Sequence, residues 1–493
     1  MKKRIVLCLV LILAAYPLCG LGETQAAGAK EGFAVEDGVY KIRNKATGRC
    51  LNMQLAGMVD RAYVQQFGET GMLDELWRVQ KLEDGYRITN LFTPRHLALR
   101  EAPAAVDGAI HISTEETPGN RWQLYGENGA YRIVPFGGSH ELGIALPVNE
   151  IASKYLPVLK AYEQDDTSLW VLEPVSMAEK LPYMLPLTGE VFHASCPQIV
   201  KQDGVYYMYI MAPHILIKSS TDMIHWEKVG TVFGLTDPSW LTKEVPGYGI
   251  WAPSVYEFGG KYYLYYCIST IGSQNSAIGV AVNTTLDPNS PDYKWVDGGM
   301  VIRSRTGSPY NCIDPNIVID DEGKVWLNFG SYWGGIYQRQ IDPATGHLLV
   351  PEEEKDTLYH LARRNVNNGA VEAAYMIWHD GYYYLFTAFN PMDLSYHNRV
   401  GRSTSVHGPF VDREGREMTK GGGTVVTKGM YELQMPGHAS VFKDEDGQYY
   451  FVGEYFRKDS PSIMMISTIV WDEDGWPVTA LTPDIAQRLP GKQ

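Results

Sequence analysis

The stretch His193–Tyr209, HASCPQIVKQDGVYYMY, reads as an apolar strand, a tight turn at Gly204 and an aromatic strand. Glycine supplies the positive φ that a two-residue hairpin turn needs, and tyrosine suits a pleated, half-buried surface. Four later stretches have the same shape. Their second strands are KYYLYYCIS from Lys261, VWLNFGSYW from Val325, YYYLFTAFN from Tyr382 and QYYFVGEYF from Gln448. A glycine marks the turn each time, at Gly260, Gly323, Gly381 and Gly447. The strands recur every 56 to 66 residues, which leaves room for two more strands per unit. Five four-stranded units over residues 190–490 predict a five-bladed β-propeller.

Upstream lies a shorter repeat. YKIRNKATGRCLNM starts at Tyr40, YRITNLFTPRHLALR at Tyr86 and YRIVPFGGSHELGIAL at Tyr131. Each unit ends in a tryptophan after a polar patch, at Trp77, Trp122 and Trp170. Short alternating strands broken by Gly, Asn or Pro suit three β-rich units about a pseudo-threefold axis. Residues 38–174 resemble the ricin-type β-trefoil, a family dominated by carbohydrate-binding modules. The family's Gln-x-Trp word stands here as Glu75-Leu76-Trp77, Asn120-Arg121-Trp122 and Ser168-Leu169-Trp170, so its glutamine is gone each time. The three tryptophans are expected to seal a core rather than to touch sugar. A Pro-rich linker, EPVSMAEKLPYMLPLTGE, separates this half from the propeller. The expected fold is therefore all-β, with a β-trefoil followed by a five-bladed β-propeller.

The formal net charge of −14 argues against a polyanionic partner, so no nucleic acid is expected. Residues 1–27 read as a signal peptide: Lys2, Lys3 and Arg4 precede an apolar run from Ile5 to Ala15. Cleavage is expected after Gly22 or near Ala27, giving a secreted or periplasmic chain with no membrane span. Cys50, Cys196, Cys267 and Cys312 are scattered and form neither a disulfide framework nor a CxxC metal motif. A Cys196–Cys312 bridge is left open, and the oligomeric state is not legible.

In a propeller the innermost strands start around one mouth of the central channel. Counting back from the turn glycines places five residues there: Cys196, Ala252, Asp314, Glu372 and His438. Two carboxylates and an imidazole from distant parts of the chain thus share one register. A carboxylic acid kept protonated beside a second carboxylate suits glycosidic cleavage.

Residues 190–490 resemble glycoside hydrolase family 43, and its endo-1,5-α-L-arabinanases most. The matching words are SSTDMIHWEKVG, GIWAPSVYEFGGKYYLYY, NCIDPNIVIDDEGKVWLNFGSYWGGI, GRSTSVHGPFVDREG and MPGHASVF, in family order. The resemblance implies that Glu372 is the general acid and Asp314 the aspartate that tunes it. It implies that His438 lies near a central metal ion, calcium. Trp251, Trp333, Asn316 and His438 are the residues expected to meet sugar. The implied partner is a carbohydrate polymer or oligosaccharide, and the implied reaction is hydrolysis of α-L-arabinofuranosyl linkages.

The first blade departs from the family. Ser195-Cys196-Pro197 stands where arabinanases carry His-Asp-Pro, so a thiol occupies the position of the base. VGEYF replaces the family's Tyr-His-x-Tyr, and Ala374 replaces a proline after the acid. A thiol with an ordinary pKa of about 8.5 is a poor base at neutral pH. Three accounts stay open: another carboxylate, or Asp314 itself, activates water, Cys196 is a nucleophile, or the chain binds glycan without cutting it. A sibling activity on xylosides or galactans is a further alternative. The long segment TVFGLTDPSWLTKEVPGYG has the length to close one end of a groove.

Overall fold

The computed structural model describes residues 35–491 apart from 55–60, 101–103, 116, 128, 139–140, 148–155, 164, 352–357 and 431–432. The signal peptide expected over 1–27 lies outside the described residues.

In the N-terminal half, six strands close a barrel by antiparallel pairing: Gly38–Asn44, Leu76–Leu82, Gly85–Asn90, Trp122–Glu127, Ala130–Pro135 and Trp170–Pro174. Three two-stranded ribbons complete the trefoil: Cys50–Met53 with Val64–Phe67, His96–Leu99 with Ile110–Ser113, and Leu142–Ala145 with Val158–Ala161. The threefold repeat is visible in its tryptophans. Trp77, Trp122 and Trp170 are wholly buried, and their indole N–H groups donate to the carbonyls of Leu51, Leu97 and Ile144 at 2.9, 2.9 and 2.8 Å. Each indole thereby ties one ribbon to the barrel and fills the core at once, because a buried N–H needs a partner.

The second half consists of five antiparallel sheets in chain order. Blade 1 holds Gln198–Gln202, Val205–Ile210, Leu216–Ser220 and His225–Thr231, with Thr188–Gly189 added in parallel at its outer edge. Blade 2 runs from Gly249–Phe258 to Val296–Ser304, and blade 3 from Asn316–Ile319 to Tyr359–Ala362. Blade 4 runs from Val371–His379 to Thr424–Val425, and blade 5 from Gln434–Lys443 to Pro477–Val478. The turn chemistry read from sequence is in place. Asp203-Gly204, Gly259-Gly260 and Asp380-Gly381 each have positive φ at both residues, as the primed hairpin turns require.

Polar side chains join the inner strands into a ring. The Gln198 amide bonds both the N–H and the carbonyl of Val255, linking blades 1 and 2. Asn316 donates to Tyr256 Oη at 2.6 Å and accepts from the Met376 amide at 2.9 Å, linking blades 2, 3 and 4. Tyr449 Oη donates to the Trp378 carbonyl at 3.4 Å, between blades 4 and 5. The last blade meets the first where Ser440 Oγ donates to the Pro197 carbonyl at 2.8 Å. Farther out, Asp444 binds Lys201 Nζ at 2.7 Å and Tyr206 Oη at 2.6 Å. The segment ahead of blade 1 also bridges blade 5 through its backbone, Met184 with Ser467 and Phe192 with Ile463.

The long segment whose length would let it close one end of a groove carries a short helix, Ser239–Glu244. It lies on blade 2, with Leu241 in an apolar cluster with Ile250 and Ile268, and Trp240 Nε1 3.2 Å from Asp297.

Candidate active site

Five inner strands begin with the same backbone device. Cys196, Ala252, Asp314, Ala373 and His438 all adopt left-handed φ values, between 42° and 57°. An L-residue held there is strained, and five such kinks in one ring turn the chain from the mouth into the channel. Cys196, Ala252, Asp314, Ala373 and His438 together line a cavity of about 30 Å³.

This geometry corrects one register. Counting from Gly381 placed Glu372 beside Cys196, Asp314 and His438, but Ala373 is the residue in that row. Glu372 sits one position earlier, level with Trp251 in blade 2 and Gly437 in blade 5, each at the start of a register shift in its hairpin. The blade 4 hairpin turns tightly between His379 and Tyr382, whereas those of blades 3 and 5 run longer, from Ile319 to Val325 and from Lys443 to Tyr449, so the longer count back from the glycine overshot by one in blade 4.

The one-residue offset still brings the two carboxylates together. Asp314 Oδ2 accepts the amide of Ala373, the residue after Glu372, at 3.0 Å. The Glu372 carboxyl is held from both sides: Ser331 Oγ donates to Oε2 and Tyr396 Oη to Oε1, each at 2.8 Å. Burial and then the Asp314 charge push the Glu372 pKa up. Burial likewise raises Asp314 to about 7, against the stabilising Ala373 amide. His438 Nε2 is 4.0 Å from Asp314 Oδ1, and burial lowers its pKa, so it is neutral near pH 7. Ser331 and Tyr396 were missed from sequence. Ser331 lies inside the GSYW word, but nothing marked Tyr396, which packs on Gly437 where a Cβ would stand 2.1 Å from its ring.

The other expected residues divide. Trp333 exposes 42% of its surface and can stack on a sugar ring; Trp251 is half-buried. Asn316 does not face the mouth: it is 1% exposed, and its amide is taken up by Tyr256, Asn328 and Met376. Cys196 is buried against Met211, with sulfur atoms 3.9 Å apart, and burial drives its thiol pKa far up. Neither a thiolate nucleophile nor a base fits that environment. The cysteines of the described residues are free and buried, so no Cys196–Cys312 bridge forms. Among the described residues no group of three or more His, Cys, Asp or Glu side chains is gathered to hold an ion. His438 is the residue that would lie beside such an ion, with water supplying most of the oxygens calcium takes, and no step below runs through a metal.

A five-bladed propeller whose mouth presents a protonatable carboxyl beside a second buried carboxylate has the architecture of a glycoside hydrolase. The sequence matches the glycosyl hydrolases family 43 model over residues 190–477, and the chain belongs to that family. Residues 31–113 match the ricin-type beta-trefoil lectin domain-like family. The chain is 35% identical over 311 residues to the extracellular exo-alpha-(1->5)-L-arabinofuranosidase ArbA of Cellvibrio japonicus, covering 59% of this chain and 89% of that protein. It is 35% identical over 269 residues to the extracellular endo-alpha-(1->5)-L-arabinanase 1 of Bacillus subtilis, covering 53% and 78%. Among solved structures, the Cellvibrio cellulosa alpha-L-arabinanase complexed with arabinohexaose is similar, at 32% identity and a TM-score of 0.55, over 62% of this chain and all of that one.

Proposed function

We propose that this chain is an exported hydrolase of α-L-arabinofuranosyl linkages in arabinan or a related plant polysaccharide. Glu372 donates the proton that the leaving oxygen takes up as the glycosidic bond breaks. Burial and then the Asp314 charge disfavour ionisation of Glu372 and push its pKa up, as a proton donor requires. The observation that carries this reading is the meeting of Asp314 with the Ala373 amide directly beside Glu372. The arabinan-active relatives, two of them named extracellular, support the substrate and the export. Trp333 offers an aromatic face for a sugar ring, and Ser331 and Tyr396 fix the acid's two oxygens.

A second reading rests on Cys196. With a buried, protonated thiol in the base position, the propeller could hold arabinan without cutting it. Reducing ends released from linear arabinan, branched arabinan, xylan and galactan separate the two. Hydrolysis of arabinan that disappears in Glu372→Gln supports the hydrolase. Arabinan binding without turnover, unchanged in Glu372→Gln, supports the binder. Release from xylan or galactan alone would reassign the substrate.

A further inference from the structure

Of the five second strands, QYYFVGEYF alone carries a carboxylate within the strand. That residue, Glu454, is 1% exposed and pairs directly with Gly437 of the inner strand of blade 5. It therefore lies in the row that holds Glu372 in blade 4. Having no side chain, Gly437 makes room on this row for the Tyr396 ring, which holds Glu372. Its carboxylate lies toward blade 1, near enough to Ser195 and the Cys196 amide for both to favour its ionised form. The Ser195 hydroxyl donates to Ser462 Oγ at 2.8 Å. Glu454 Oε2 is buried and has no hydrogen-bond partner among the described residues.

A carboxylate buried for structure alone should have both oxygens satisfied, because an unpartnered buried acceptor costs stability. Glu454 keeps one oxygen free at the place where Cys196 has lost its carboxylate. Resting on the family 43 hydrolase reading above, we infer that Glu454 is the general base of this enzyme, supplied from the fifth blade in place of the first. In the step it serves, the water O–H bond breaks and its proton passes to the Glu454 carboxylate. The water oxygen bonds to the anomeric carbon from the face opposite the leaving group. The glycosidic C–O bond breaks, and the leaving oxygen takes the Glu372 proton. The products are an arabinose hemiacetal of inverted configuration and the shortened chain, with Glu454 protonated and Glu372 ionised until solvent resets them.

The groups that face Glu454 suit a base working near neutrality. Burial raises its pKa to about 7, with the Glu372 charge adding to the rise and Ser195 and the Cys196 amide opposing it. Cys196 is neutral, and Tyr396 and His438 are also uncharged at neutral pH. Ionisation of Glu454 and protonation of Glu372 then bound a window of pH in which both are in their working states.

The test uses the full chain on linear arabinan, with Glu454→Gln, Cys196→Asp and the double variant. Glu454→Gln should lower kcat by about 10²- to 10⁴-fold with arabino-oligosaccharide binding retained. Cys196→Asp added to Glu454→Gln should restore at least about tenfold of that loss, because it returns a carboxylate to the first blade. Cys196→Asp alone should bring no gain. Three results overturn the inference: Glu454→Gln keeping more than about a third of wild-type kcat, no rescue in the double variant, or a gain of about tenfold in Cys196→Asp alone. Should Glu454→Gln fail to fold, judged by circular dichroism, the Cys196→Asp single variant decides alone. Wild-type activity that dies in Glu372→Gln but survives Glu454→Gln refutes only the base. A wild-type chain that binds arabinan but turns over nothing, and gains turnover in Cys196→Asp, refutes Glu454 as a working base and leaves the sugar site standing. Inactivity of every variant on arabinan removes the hydrolase reading and the base with it.

Discussion

Tyr396→Phe tests the hold on the acid with almost no change of shape. Tyr396 is 1% exposed, its ring packs on Gly437, and its hydroxyl donates to Glu372 Oε1 at 2.8 Å. That bond favours the ionised carboxylate and so lowers the Glu372 pKa, against burial and Asp314, which raise it. A hydrogen bond to a charged group contributes about 1.5–3 kcal/mol. The protonated acid keeps part of this, so the differential loss is on the order of 1–2 kcal/mol, or about one pH unit at 1.36 kcal/mol per unit. The sign is upward: without the hydroxyl, Glu372 holds its proton to higher pH. The alkaline limb of kcat/KM on linear arabinan, which reports the free enzyme's essential acid, should move up by about one unit. Thermal melting should show the variant folded. An alkaline limb that stays in place or moves down, in a folded variant, would refute Glu372 as the group behind that limb.

Three further outcomes follow from the same geometry. Trp333→Ala removes an exposed aromatic face and should raise KM for arabino-oligosaccharides by about threefold to tenfold with kcat little changed, read from initial rates. Gly437→Ala puts a methyl 2.1 Å from the Tyr396 ring, so the ring must shift; melting should show a loss of about 1–3 kcal/mol and kcat should fall with it. Asp314 and Glu454 are raised by burial to about 7 from 3.8 and 4.5, so between pH of roughly 4 and 7 the folded chain binds more protons than the unfolded one. Stability therefore falls as pH rises through that window. The melting temperature should be higher at pH 5 than at pH 8, and the gap should shrink in Asp314→Asn.

The propeller was legible because its signals are local. A turn glycine, an apolar strand before it and an aromatic strand after it survive in all five units, and the three trefoil tryptophans mark their lobes the same way. The mouth was legible only in part. Cys196, Asp314 and His438 fall in one row because their strands carry the same kink; Glu372 was brought to the right place by a count that was one residue off. Asn316 stood in the most specific word of the chain, yet its amide braces three blades. Glu454 was passed over because VGEYF read as the loss of a histidine. The letter that mattered was the acid gained, and its closeness to Cys196 depends on the ring closing across more than 250 residues of chain.

Each blade is spun from one continuous segment, and the junction between the first and the fifth is fastened by side chains such as Ser440 and Asp444 and by backbone bridges from Met184 and Phe192, ahead of blade 1, to Ser467 and Ile463 of blade 5. Such a ring behaves as a bracelet with a single clasp. Glu454 and Cys196 stand on opposite sides of that clasp, so a slight parting there would pull them asunder while every blade kept its hydrogen bonds. Under gentle denaturation, catalysis should fade before the β-sheet signal does.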